Sequence, residues 1–466
     1  MGSNKLYTLR KIYIALIRSK IDYGCEVYNT ASASIKKILD KVQTQSLRLC
    51  TGSMKSASLK ALQVEMGDPP YEIRRKALIT KSFLNISTFE NNHPAKKSIQ
   101  DTATFEFYSK TVKRKPFTLI AKDTLKGNNF SENNVVIYRE SPIPPWHFTV
   151  PIVNTYLKDY ISKKDLPHLI KSEANIMIDT QYKHHLKIFT DGSKDPNSNA
   201  GCAFVIPELK INKGFKLNNH LSIFMCELTA IYLCISWLQD FLPFNVVIFV
   251  DSLSALQALK IPLNKIRNQF LLDIHFLLRS LYHSGTNIIF EWIPSHVGIQ
   301  GNELADFHAK QALSFQNIYI FVPLFKDDFK TLCKNLMKKM WQEEWDKEKD
   351  RALYQISPKI NFDIKIPKMS RYKERLIFKL RTGYIPLNKH LYKIGISDTK
   401  LCEECRVEET VEHFLLHCKL YNTERSILFD SLRKLQIQNF QLKNILTGYN
   451  FLPIDTYVKS TNRMIL

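Results

Sequence analysis

The stretch Trp292–Lys310, WIPSHVGIQGNELADFHAK, decides the reading of this 466-residue chain. Its opening residues read as the end of a strand that turns through Pro294 and Gly298. Its second half opens a helix read from Asn302 to Ala312. The stretch sets His296 in the loop and Asp306, ten residues later, inside the helix. Glu303 and Asp306, three apart, also suit first-turn acids that complement a helix dipole.

Working outward, three upstream signals repeat one theme. IFTDGS puts Asp191 at the end of a strand, and MCELTAI puts Glu227 in the first turn of an apolar helix. VVIFVDSLSAL puts Asp251 where a buried strand gives way to a helix. Taken singly, Asp191 and Asp251 are readable as turn residues or helix caps. Glu227, flanked by Phe224, Met225, Leu228 and Ile231, sits near an inward face and needs a cation there. Strands LKIFT, AGCAFVI and NVVIFV, followed by helices over Met225–Asp240, Ser252–Leu259 and Asn302–Ala312, imply a mixed α/β sheet with helices packed on it. Such a sheet brings the four carboxylates to one edge. They would repel one another without metal, and an all-oxygen site suits magnesium. Two such ions about 4 Å apart would clamp the attacking and leaving oxygens of a phosphodiester.

In order, TDGS, the ELTAI helix, VDSLSAL and SHVGIQGNELAD resemble the four motifs of type 1 ribonuclease H, over about 130 residues. The resemblance implies a ribonuclease H-like five-stranded mixed sheet over 184–315 and hydrolysis of the RNA strand of RNA–DNA hybrids. It implies two Mg2+ (or Mn2+) ions, with Asp191 and Asp251 touching both, Glu227 binding one beside the ribose hydroxyl, and Asp306 completing the second site. His296 would shuttle a proton or help product leave, and Ser193 and Asn302 would contact nucleic acid.

The flanks carry the charge. The whole chain has a net charge of +22. Residues 1–185 hold 29 Lys and Arg against 16 Asp and Glu, residues 186–314 hold 10 against 10, and residues 315–466 hold 27 against 18. Two basic flanks around a neutral centre suit a polyanionic partner. The nine cysteines are mostly scattered, which argues against a secreted disulfide framework. The start shows neither a signal peptide nor a myristoylation pattern, and the most apolar window, Ile223–Leu238, is too short to span a bilayer. An intracellular protein, in nucleus or cytoplasm, is expected.

Residues 1–88 and 316–395 read as helical, with helices expected over Ala33–Arg48 and over 322–350. Residues 89–183, with Pro142, Pro144, Pro145 and the basic run Lys113–Lys115, read as an irregular connector. Residues 396–425 hold Cys402, Cys405, His413 and Cys418, a tetrahedral zinc set with His417 as an alternate ligand, and 426–466 form a tail. This segment resembles the zinc-binding region after ribonuclease H in non-LTR retrotransposon polyproteins. The preceding RLIFKLRTGYIPLNKHLY is similar to their basic stretch, and Arg375, Lys379 and Arg381 are its expected phosphate contacts. IYIALIRSKIDYGCEVYNTAS, LRLCTGS and EMGDPPYEIRR resemble the region after the polymerase palm in the same elements. The aromatic-Ala-Asp-Asp turn of the polymerase is not in the sequence, whose one Asp-Asp pair is Asp327-Asp328. The expectation is the C-terminal part of such a polyprotein. It is either an active nuclease or an inactive nucleic-acid-binding remnant.

Overall fold

NVVIFV forms a strand because it can be buried on both faces, and the sheet is built around it. The computed structural model describes residues 6–100, 115–128, 130, 135–137, 141–161, 165–196, 199–266, 268–364, 369–447 and 451–463. Of the basic run, Lys113 and Arg114 lie outside the described residues. The chain divides into two compact units: residues 80–113 with 122–334, and residues 1–79 with 114–121 and 335–466.

The first unit holds one six-stranded mixed sheet. Its strands are β1 (Ile152–Asn154), β2 (Leu186–Lys194), β3 (Ala200–Ile206), β4 (Ile211–Leu217), β5 (Asn245–Val250) and β6 (Asn287–Trp292), in the order β1-β6-β5-β2-β3-β4. β5 lies parallel to both β6 and β2, and Val246 to Val250 are fully buried, as a strand covered on both sides requires. β2, β3 and β4 form an antiparallel meander. β2 is therefore the pivot between the parallel and antiparallel halves.

The five expected strands are all there, and β1 adds a sixth. It is a three-residue edge strand paired with Ile289–Glu291, too short to show an alternating pattern in sequence. The supposed irregular connector also holds a full helix, α1 (Pro167–Gln181). Pro167 opens it at the position where a missing N–H does no harm. Its buried Ile170, Ala174, Met177 and Ile178 recur at helical spacing. The last three pack with Phe189, Ile293 and Ile299, so this helix is part of the core beside the sheet.

Four helices follow: α2 (Ile223–Leu238), α3 (Leu253–Leu259), α4 (Gln269–His283) and α5 (Gln300–Ala312). Ser222, Ser252 and Asn268 cap the first three by accepting from backbone N–H groups. α5 crosses the meander so closely that a Cβ on Gly201 would stand 2.9 Å from Ala309 O, and one on Gly214 2.9 Å from His308 O. Beyond α5, Tyr319 N donates to Lys216 O and Val322 N to Asn218 Oδ1. Buried Asp328 accepts from Ser222 N, at the cap of α2.

The second unit is helical. The helix expected over Ala33–Arg48 runs Ala33–Thr51 and ends at Gly52 in the left-handed conformation. The one expected over 322–350 runs Phe329–Trp345, of which residues 335–345 belong to this unit. Tyr13, Leu47, Leu62 and Met66 share a core with Trp341 and Trp345, so chain segments far apart in sequence fold together. A second core joins Leu376, Leu380, Val411, Phe414, Leu428 and Tyr457. Among the described residues no helix is long and apolar enough to cross a membrane.

Candidate nuclease site and metal centres

Strand register puts the first two carboxylates side by side. Thr190 of β2 is the parallel partner of Val250 of β5, and Asp191 and Asp251 are the next residues of each chain segment. Asp191 lies inside β2 and not at its end, because β2 continues against β3 to Lys194. Glu227 arrives from α2, at the start of its second turn. What lets it in is Gly192: a Cβ there would stand 2.5 Å from Glu227 N and 2.8 Å from Cys226 C. Both are backbone atoms that cannot swing aside. Gly192→Ala is therefore expected to push α2 off β2 and destabilise the unit by about 1–3 kcal/mol. Thermal unfolding of the variant measures this, and an unchanged Tm would disprove the close approach.

The carboxylate oxygens of Asp191, Glu227 and Asp251 lie within 4.8 Å of one another. Asp191 is 6% and Glu227 7% exposed. Burial, then the charges of Asp251 and Asp306, push Asp191 up to about 8. Burial and the same kind of crowding hold Glu227 far above the usual carboxylate range. Asp251 is raised by burial, against the opposing pull of the Asn302 hydrogen bond and of His296. Glu227 Oε2 is buried and accepts no hydrogen bond. Three crowded carboxylates with an orphaned oxygen fit a divalent cation with hard oxygen preference.

Around this group the other expected residues take definite places. Asn302, 2% exposed on α5, donates Nδ2 to Asp251 Oδ2 at 3.3 Å, while its Oδ1 is buried without a partner. Trp292 Nε1 donates to Asp251 O. Asp306 stands in a neighbouring group with His296 and Glu303, whose ligand atoms again lie within 4.8 Å of one another. His296 is exposed and held at φ +55°, and Gly298 N donates to Glu303 Oε1 at 3.0 Å. Lys310 Nζ lies 2.6 Å from Asp306 Oδ2. Ser193 is nearly buried in β2 opposite Gly201. In sequence Glu303 reads, with Asp306, as a first-turn helix acid, and the fold sets it beside His296 as well. Its spacing of three from Asp306 was the available signal that both share a face.

In the helical unit, Cys402, Cys405, His413 and Cys418 bring their ligand atoms within 4.8 Å of one another. Cys402 Sγ and Cys418 Sγ are 3.7 Å apart. A tight turn, with Cys402 N donating to Val407 O and Arg406 at φ +56°, presents the first two thiols. His413 Nε2 is buried with no partner, as a ligand atom awaiting a metal would be. His417 is not in the group. On the helix α6 (Arg371–Thr382), Arg375 is exposed and lies across Gly52, and Lys379 is half-buried. Arg381 is committed internally, donating to Glu65 Oε1, Leu446 O and Ser357 Oγ.

Residues 183–314 match the RNase H family. The mixed sheet with helices packed on it is the fold that this match implies, and it supports a nuclease that binds nucleic acid. Among curated proteins none matches the chain.

Proposed function

We propose that the chain is a metal-dependent endonuclease that hydrolyses the RNA strand of RNA–DNA hybrids. The observation that carries the reading is the trio of buried Asp191 and Glu227 with partly buried Asp251, converging within 4.8 Å and driven towards protonation when no cation is present. Bound divalent ions would supply charge for the phosphate oxygens and an acidified water as nucleophile. The chain's own residues do the rest. Asp191 and Asp251, fixed by adjacent strands, set the position of the reacting phosphate. Asn302 turns the Asp251 carboxylate through its hydrogen bond. Glu227 would contact the ribose, whose 2′-hydroxyl distinguishes RNA from DNA. His296, exposed beside Asp306 and Glu303, is placed to take up or release a proton at the leaving oxygen. The test is cleavage of a labelled hybrid by the full chain in Mg2+.

The Cys402, Cys405, His413 and Cys418 group would hold one structural zinc. Arg375 and Lys379 remain the phosphate contacts we favour on α6, and Arg381 drops out because its guanidinium is already bonded. With the motif resemblances of residues 1–88 and 396–425, these features support an origin in the C-terminal part of a non-LTR retrotransposon protein. Its action would be inside the cell, where such hybrids form.

The crowding makes a signed prediction for pH. Asp191 titrates at an ordinary 3.8 when unfolded and about 8 when folded. Folding is unpenalised by this group below about pH 4, and the penalty is complete above about pH 8. In EDTA, the Tm advantage of Asp191→Asn over the natural chain should therefore grow from pH 5 to pH 8. It should reach on the order of 5 kcal/mol, or about 10–20 °C. Saturating Mg2+ should reverse the order. A Tm difference that does not change with pH would contradict the crowding.

A further inference from the structure

We infer that Lys171 of α1 is a substrate-binding residue of the nuclease site, contacting the phosphate backbone beside the His296 loop. The inference rests on the nuclease reading, but it concerns a helix outside the matched residues 183–314. α1 is fixed in place: Ala174, Met177 and Ile178 share a core with Ile293 and Ile299, and Val297 packs against it. These are the residues on either side of His296. From this anchored helix Lys171 reaches over the loop. The position of a Cβ on Gly298 lies 3.5 Å from both Cδ and Nζ of Lys171. Gly298, at φ +90°, offers no side chain to block it. The loop is thus held from within by Glu303, which accepts from Gly298 N, and flanked from without by Lys171.

Lys171 is exposed and makes no ion pair among the described residues. Lys310, also at the site, is tied to Asp306, and Lys194 donates to Leu221 O. A polyanion approaching five carboxylates, in a segment whose formal charge sums to zero, meets few free cations. A strand whose reacting phosphate rests at Asp191 and Asp251 must pass the exposed His296. A lysine poised there neutralises a neighbouring phosphate and releases a counterion.

The experiment is binding of a fluorescein-labelled RNA–DNA hybrid to the full chain in EDTA, from 50 to 300 mM KCl, where no cleavage competes. For Lys171→Ala the slope of log K against log salt should fall by about 0.9, and affinity at low salt by roughly 3–10-fold. Lys171→Arg should restore both. Lys210→Ala, in the β3–β4 turn at the opposite end of the strands from Asp251, should match the natural chain. In Mg2+, KM should rise for Lys171→Ala with kcat nearly unchanged. An unchanged slope overturns the inference, and so does a loss that Lys171→Arg fails to restore. A chain that binds with this slope but never cleaves would refute the nuclease reading and leave the contact standing. A chain that cleaves with an unchanged Lys171→Ala slope would do the reverse.

Discussion

Asp251→Asn is expected to reduce hydrolysis of the RNA strand by about 1,000-fold or more, while leaving the fold intact and raising its metal-free stability. The two effects have one cause. Asp251 lies partly buried beside Asp191 and within reach of Glu227, and its ionised form is disfavoured by burial and by the charge of Asp306, against the pull of the Asn302 hydrogen bond and of His296. An amide of the same shape removes a charge from the crowded group, so the remaining two carboxylates ionise more readily. The same amide turns an N–H donor towards the place where a cation must bind, and it halves the oxygen ligands that Asp251 offers. Activity measured against Mg2+ concentration, with Tm in EDTA at pH 8, reads both halves. If cleavage fell together with metal-free Tm, Asp251 would be supporting the fold and not holding a metal.

Zinc content gives the second large effect. The full chain is expected to purify with about one zinc, and Cys402→Ser with Cys418→Ser to bring it near zero. Structural zinc bound by four such ligands is worth about 10–16 kcal/mol in small domains, so its loss exceeds the whole stability of most folds. Here Val411, Phe414 and Cys418 are themselves part of the larger core around Leu380 and Leu428. The expected outcome is accordingly local: rapid proteolysis within 396–425, with the sheet unit still folded. Metal analysis with limited proteolysis checks this. A zinc-free natural chain that resists protease would contradict a metal role for the four residues.

The nuclease core was legible in sequence because each of its carboxylates sits beside a strong local signal. NVVIFV can hardly be anything but a doubly covered strand, and it delivers Asp251 directly. The helix bearing Glu227 announces itself by its apolar run. The pairing Thr190 with Val250, which sets Asp191 against Asp251, was not legible: register is a long-range property that no local pattern encodes. Gly192 was visible as a letter of TDGS, but its task, clearing the backbone of α2, exists only once sheet and helix are packed. β1 and α1 escaped for opposite reasons. β1 is too short to show a period, and the apolar residues of α1 lie among prolines and polar residues that suggested a connector. Arg381 reads as free in a basic stretch, and only the fold sets Glu65 beside it. The Cys and His spacing did point to residues that converge, since four sulfur and nitrogen ligands within 17 positions leave few other geometries.

The most direct test of the central claim is a hybrid carrying different labels on its RNA and DNA strands, incubated with the full chain in Mg2+ and, in parallel, in EDTA. The account predicts cleavage of the RNA strand alone, only with the divalent ion, and none of an all-DNA duplex of the same sequence. A chain that binds the hybrid yet leaves the RNA whole in both Mg2+ and Mn2+ would contradict it.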